Sequence, residues 1–226
     1  MKNIAVILAS GIGSRYGTDI PKQFIKINGK TIIEYSVEAF EKNSNIDEII
    51  VVITPEYRIL AKEILDKNNY KKNVNLLDGG KIRKESSQIA IDSINYNEAN
   101  ILIHDCARPL VSQKIINDCI YALENFDAVA VAIEASDTII EVENNEIVGI
   151  PNRNKLKRIQ TPQCFKLSLI KKAHELSKGD DSFTDDCGLI LKHNLSDICI
   201  VEGDINNIKI TYPIDYLIAQ EILNNN

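Results

Sequence analysis

An unbroken apolar run, Ile4–Leu8, passes directly into a loop bearing Gly11 and Gly13, and this strand-then-loop unit recurs down the chain. Short apolar runs bounded by turn residues are strands buried on both faces, as parallel sheets require. Thr31–Lys42 carries apolar residues at Ile32, Ile33, Val37 and Phe40, one face of a helix. Ile49–Ile53 is the next strand, stopped by Thr54-Pro55, and Tyr57–Leu65 is helical. The unit repeats as Val74–Leu77, Gly79-Gly80 and a helix over Glu85–Ile94. It repeats again as Ile101–Ile103, His104-Asp105 and a helix over Lys114–Leu123, then a strand at Ala128–Ile133. Such alternation predicts right-handed βαβ crossovers: an α/β fold with a Rossmann-like, mostly parallel twisted sheet and helices on both faces.

The rhythm then breaks. Thr138–Val142 and Ile147–Ile150, joined through Asn144-Asn145, read as a β-hairpin. A lone hairpin is marginal in water, so a projecting β-arm that packs on a second subunit is expected. Helical patterns return at Leu167–Leu176 and Asp185–Lys192. Strands follow at Ile198–Val201 and Ile208–Ile210, and a last helix near Ile214–Leu223. The expectation is one domain over 1–226, with 137–155 as a dimerisation arm.

Charge narrows the partners. Twenty-six Lys and Arg against 32 Asp and Glu leave a net charge of −6, a field that repels nucleic acid and anionic membranes. A polyanionic ligand must therefore be held by a local group of cations and backbone N–H groups. No apolar stretch approaches the ~20 residues that span a bilayer. Five cysteines without a C-x-x-C pair read as reduced thiols, and a cytoplasmic location is expected.

Ligands of open parallel sheets bind at the carboxyl ends of the strands. There the chain has Leu8-Ala9-Ser10-Gly11-Ile12-Gly13-Ser14-Arg15, then Pro21-Lys22-Gln23. Glycines let backbone N–H groups curl round an anion, and Arg15 and Lys22 add charge. The competing reading is a tight surface turn. Asp78-Gly79-Gly80-Lys81-Ile82-Arg83-Lys84-Glu85-Ser86 is a second anion- or base-binding loop. After the fourth strand, His104-Asp105-Cys106-Ala107-Arg108-Pro109 offers Asp105 as a ligand for phosphate-bound Mg²⁺, or simply as a helix cap. His104 reads as a hydrogen-bonding partner. Cys106 lacks a positioned base, so it reads as a small core residue.

These loops, with Asp137-Thr138, Gln160-Thr161-Pro162-Gln163, Thr184-Asp185 and Asn207-Ile208-Lys209-Ile210-Thr211 in the same order, resemble the cytidylyltransferases that make CDP-polyols. That family includes methylerythritol phosphate and ribitol-5-phosphate cytidylyltransferases. Asp137-Thr138-Ile139 and Ile150-Pro151-Asn152-Arg153 look like the ribitol branch, which is the reading taken. Cys106-Ala107 is nearer the isoprenoid branch.

The resemblance implies a nucleotidyltransferase-type fold and the transfer of CMP from CTP to a polyol phosphate, with Mg²⁺ and a homodimer. By position in the family pattern, Arg15, Lys22, Arg153 and Lys209 would be catalytic. Leu8, Ala9, Ser10, Gly11, Gly13, Gly80, Lys81, Arg83, Ser86, Asp105 and Cys106 would bind the nucleotide, with Asp105 also the metal ligand. Arg108, Thr138, Arg153, Thr161, Thr184 and Lys209 would bind the acceptor. Two rivals fare worse. A Rossmann oxidoreductase needs an acidic residue where the second strand ends in Thr54-Pro55. A non-catalytic homologue would have lost the cations or Asp105.

Overall fold

The computed structural model describes residues 1–11 and 20–225. Its strands are β1 (Lys2–Ala9), β2 (Lys26–Ile27), β3 (Lys30–Thr31), β4 (Glu48–Ile53), β5 (Asn73–Asp78), β6 (Ala99–Asp105), β7 (Ala128–Glu134), β8 (Glu141–Glu143), β9 (Glu146–Gly149), β10 (Lys157–Lys166) and β11 (Cys199–Glu202). Its helices are α1 (Ile32–Glu41), α2 (Arg58–Asp66), α3 (Arg83–Asp92), α4 (Gln113–Ala122), α5 (Leu167–Leu176), α6 (Asp186–Lys192) and α7 (Pro213–Asn224).

Seven strands form the central sheet in the order β11-β7-β10-β6-β1-β4-β5. All run parallel except β10, which lies antiparallel between β6 and β7. Alternation along each strand divides the core between the two faces. Ala5, Ile7, Ile49, Val51 and Leu102 meet α1, α2, α4 and α7 on one side. Ile4, Val6, Ile50, Ile101 and Phe165 meet α3, α5 and α6 on the other. The apolar runs of the sequence are thus strands buried on both faces. Helix α1 starts where expected because Thr31 and Glu34 form a reciprocal capping box.

Two expectations are corrected. The segment Ile208–Ile210 is not a strand. Both neighbours of β6 are taken by β1 and β10, so this segment lies across the strand ends, held by Ile210 N–H to Ala107 O at 2.8 Å. Conversely, the ten-residue β10 went unread because Pro162 and its polar neighbours mask it. The register shifts between Ile159 and Gln163, so the proline falls where no ladder donor is needed. The expected hairpin is present as β8–β9, a two-stranded sheet of its own. Asn144 and Asn145 turn it with φ of 48° and 67°, the primed turn that matches strand twist.

Candidate active site

The carboxyl ends of β1, β4, β5 and β6 open onto one cleft of about 590 Å³. Of the sequence candidates, Leu8, Ala9, Ser10, Gly11, Lys22, Gly80, Lys81, Arg83, Asp105, Cys106 and Lys209 line it. Gln23, Thr54, Ile82, Ala107 and Thr211 line it as well, although they were not among the candidates. Thr54 was legible in principle, since it follows a strand at its carboxyl end. Arg15 and Gly13 lie outside the described residues.

Backbone geometry sets the walls. Gly79 N–H bonds Ile53 O at 2.7 Å and Cys106 N–H bonds Leu8 O at 3.0 Å, so pairing continues past the strand ends. Ser86 is fully buried beneath the cleft and organises the glycine loop. Its hydroxyl has one hydrogen, donated to Ile82 O at 3.1 Å. It therefore accepts from Gly80 N–H at 3.2 Å and from the Ser10 hydroxyl at 2.7 Å. Thr54 donates to Ser10 O at 2.8 Å, and Gln23 Nε2 donates to Ala9 O at 2.7 Å.

Gly79 is needed because a Cβ there would stand 2.7 Å from Ser10 Cβ and 3.1 Å from Val52 Cγ1. Gly79→Ala is therefore expected to destabilise the protein by about 1–3 kcal/mol, as overpacking does. It should also weaken ligand binding in the cleft by displacing Ser10. Denaturation and nucleotide titration check both effects, and an unchanged nucleotide affinity would separate Gly79 from the site.

Asp105 is the electrostatic centre. One oxygen lies 3.3 Å from Arg83 Nε and the other 2.7 Å from Lys209 Nζ. Burial alone would raise its pKa, but Arg83 and Lys209 prevail and hold the carboxyl well below the usual carboxylate range. Asp105 does not cap the next helix, a role taken by Ser112. Lys22 Nζ donates to Ile210 O at 2.8 Å, tying the 207–211 segment to the short helical turn Lys22–Phe24. Lys22, Lys81, Arg83 and Lys209 thus set four cations against one lining carboxylate among the described residues. A chain of net charge −6 has made a positive cleft.

His104 is fully buried, and burial lowers its pKa to about 4, so the ring is neutral at pH 7. Its Nε2 meets Arg108 O, which only accepts, at 3.0 Å; that nitrogen carries the proton. Nδ1 then accepts from the Thr161 hydroxyl at 3.0 Å, and Thr161 Oγ1 accepts from Asp105 N–H at 3.1 Å. The ring thus links the Arg108 carbonyl to Thr161, and through it to the Asp105 backbone. Burial pushes the Cys106 thiol up to about 12, so no thiolate is available as a nucleophile.

The remaining acceptor-side candidates do not line the cleft of their own chain. Thr161 is buried behind Asp105. Arg108 donates to Asn207 O at 2.8 Å and Ile159 O at 3.4 Å. Thr138 and Thr184 are exposed, and Arg153, beyond the hairpin, reaches Ser136 O at 3.2 Å. Lys209, expected within a strand over Ile208–Ile210, instead sits on the irregular 207–211 segment with its head in the cleft.

The chain is similar to known proteins over nearly its whole length. Residues 3–225 match the IspD family, 2-C-methyl-D-erythritol 4-phosphate cytidylyltransferase. The 2-C-methyl-D-erythritol 4-phosphate cytidylyltransferase of Clostridium perfringens is 41% identical, over 98% of this chain and 99% of that protein. A Haemophilus influenzae bifunctional ribulose 5-phosphate reductase/CDP-ribitol pyrophosphorylase is also 41% identical, over 98% of this chain but 48% of that protein. This chain thus spans about half the length of that relative. The crystal structure of 4-diphosphocytidyl-2C-methyl-D-erythritol synthase from Anaerococcus prevotii superposes with a TM-score of 0.87 at 28% identity, covering 99% of this chain and 96% of that one. From its glycine loops to its carboxyl-terminal helix, the chain belongs to the IspD family of cytidylyltransferases, and it is a nucleotidyltransferase enzyme.

Proposed function

We propose that the chain transfers CMP from CTP to D-ribitol 5-phosphate, giving CDP-ribitol and pyrophosphate. The observation that carries the transfer is the cleft's excess of cations, with no thiolate and no titrating histidine beside them. A phosphate monoester, with a second pKa of about 6, is already a nucleophile at pH 7. Its oxygen forms the new bond to the α-phosphorus as pyrophosphate leaves, and no base is required. The barrier is electrostatic, since two polyanions must meet; positioned cations lower it.

Lys22 and Lys209 would stabilise phosphate charge, while Gly80, Lys81 and the Ala9-Ser10 backbone would hold the nucleoside. Asp105 suits Mg²⁺: a single hard oxygen donor is enough for an ion that takes its other ligands from phosphates and water. The ion would neutralise phosphate charge when bound. No group of three or more metal-binding side chains occurs among the described residues. A cytoplasmic location belongs to the same proposal, in keeping with a nucleotide substrate.

The ribitol choice rests on Asp137-Thr138-Ile139 and Ile150-Pro151-Asn152-Arg153. A second reading, 2-C-methyl-D-erythritol 4-phosphate, is favoured by Cys106-Ala107 and by the Clostridium perfringens relative. A pyrophosphate-release screen decides between them. Ribitol 5-phosphate is expected to give the higher kcat/KM, and the reverse order would transfer the assignment to methylerythritol phosphate.

The arm supports a homodimer. Val142, Ile147, Val148 and Ile150 are each more than half exposed on a hairpin outside the main sheet, an apolar surface that a second copy would cover. Arg153 would then act in the partner's cleft. Mixing Lys22→Ala with Arg153→Ala protein after dissociation is expected to restore about a quarter of wild-type activity, because half the dimers carry one intact site. No recovery, with mixed dimers shown to form, would place Arg153 in its own subunit's reaction.

A further inference from the structure

Arg83 opens α3, and its guanidinium spans two carboxylates. Nε lies 3.3 Å from Asp105 Oδ1, and Nη1 lies 2.6 Å from Asp186 Oδ2. Asp186 is the first residue of α6, 1% exposed and absent from the cleft lining. Its other oxygen accepts the Ser87 hydroxyl at 2.6 Å and sits 3.4 Å from His174 Nε2. Its backbone N–H donates to Gln163 Oε1 at 3.0 Å. The charges alternate, Asp186, Arg83, Asp105, Lys209, from the helical layer into the cleft.

We propose that Asp186 is a positioning residue of the active site, acting through Arg83 on Asp105. A guanidinium facing one carboxylate grips it with two parallel N–H groups and neutralises both oxygens. Shared between two carboxylates, Arg83 gives Asp105 a single contact. Asp105 Oδ2 is left turned to the cleft, where Lys209 meets it. Asp186 thereby fixes the direction of a group it never touches. This inference rests on the cytidylyltransferase reading and adds a residue to its machinery.

In Asp186→Asn, Arg83 is released to close on Asp105 with both edges, and Lys209 loses its partner. With CTP and a polyol phosphate, kcat is expected to fall about tenfold to hundredfold, the scale of a small misplacement of reacting groups. The KM for CTP should move by less than about threefold, because the lost alignment matters in the transition state. In an Arg83→Gln background the same substitution should add little, since its carrier is gone. A purely structural Asp186 would lower Tm yet leave kcat per folded molecule unchanged, and that result overturns the proposal. So does a full additive loss in the double variant.

If Asp186→Asn does not fold, Ser87→Ala removes one hydrogen bond from the same carboxylate. A kcat loss of about threefold is then expected, and an unchanged kcat overturns the proposal. If the wild type turns over no polyol phosphate, the functional reading has failed. Crystal structures of wild type and Asp186→Asn (or Ser87→Ala if the Asn variant does not fold) then decide the positioning claim. Loss of the Asp105–Lys209 contact supports it, and retention overturns it.

Discussion

Replacing Lys22 with alanine is expected to lower kcat by about 10²–10³-fold, the usual loss for a preorganised donor to transition-state charge. Lys22 lies against the 207–211 segment, with its ammonium 2.8 Å from Ile210 O. The substitution removes both a cation and the tie that holds this segment over the strand ends. Lys22→Gln removes the charge but keeps a side-chain N–H donor for Ile210 O, so it separates the two effects. If charge dominates, both variants fall alike; if the hydrogen-bonded tie dominates, Gln recovers much of the rate. Near-wild-type turnover with unchanged KM for CTP in either variant would remove Lys22 from the mechanism.

Asp105→Asn is expected to have the second largest effect, on both stability and metal use. Asparagine leaves Arg83 facing only Asp186 and leaves Lys209 without a carboxylate. Breaking one partner from a buried pair costs about 3–5 kcal/mol, and the lower figure suits a side chain 12% exposed. Because the native pKa is depressed, the carboxylate's contribution is complete above the unfolded value of about 3.9 and fades as pH falls toward the native one. The stability gap between wild type and variant should be level from about pH 8 to 5 and narrow below about pH 4. Urea titrations across that range check it, and a gap that widens in acid would contradict the assignment. Activity should vanish in excess EDTA, and the variant should need more Mg²⁺ for half-maximal rate. An unaltered metal titration would take Asp105 out of the ion's ligand set.

The parallel strands and the cleft loops were legible because each apolar run is buried on both faces and each loop follows one directly. What escaped was polar and long-range. β10 hides behind Gln160, Thr161, Pro162 and Gln163, yet these residues are buried. The polar ones are struts: Gln160 holds Asp204 and Asn207, and Gln163 holds Asp185 and Asp186. A strand whose buried side chains brace loops loses the apolar signature by which strands are recognised. Asp186 reads in sequence as an ordinary helix start, since its partners are Arg83 and Ser87, about a hundred residues away. Lys209 was found by motif and misplaced by pattern, because alternating Ile-Lys-Ile reads as a strand wherever the sheet has room.

The reversed strand has a consequence for how such chains diversify. The arm leaves the sheet at Glu134 and returns at Lys157, and these two residues are direct cross-strand partners joined by an ion pair. Both stumps are therefore stitched to each other before the intervening segment is considered, and its length adds only a slowly growing closure cost. Residues 135–156 can therefore be exchanged as a unit, with β7 and β10 expected to keep their register. If the segment takes part in acceptor choice, as proposed for Thr138 and Arg153, grafting it between relatives is expected to shift the preferred polyol phosphate.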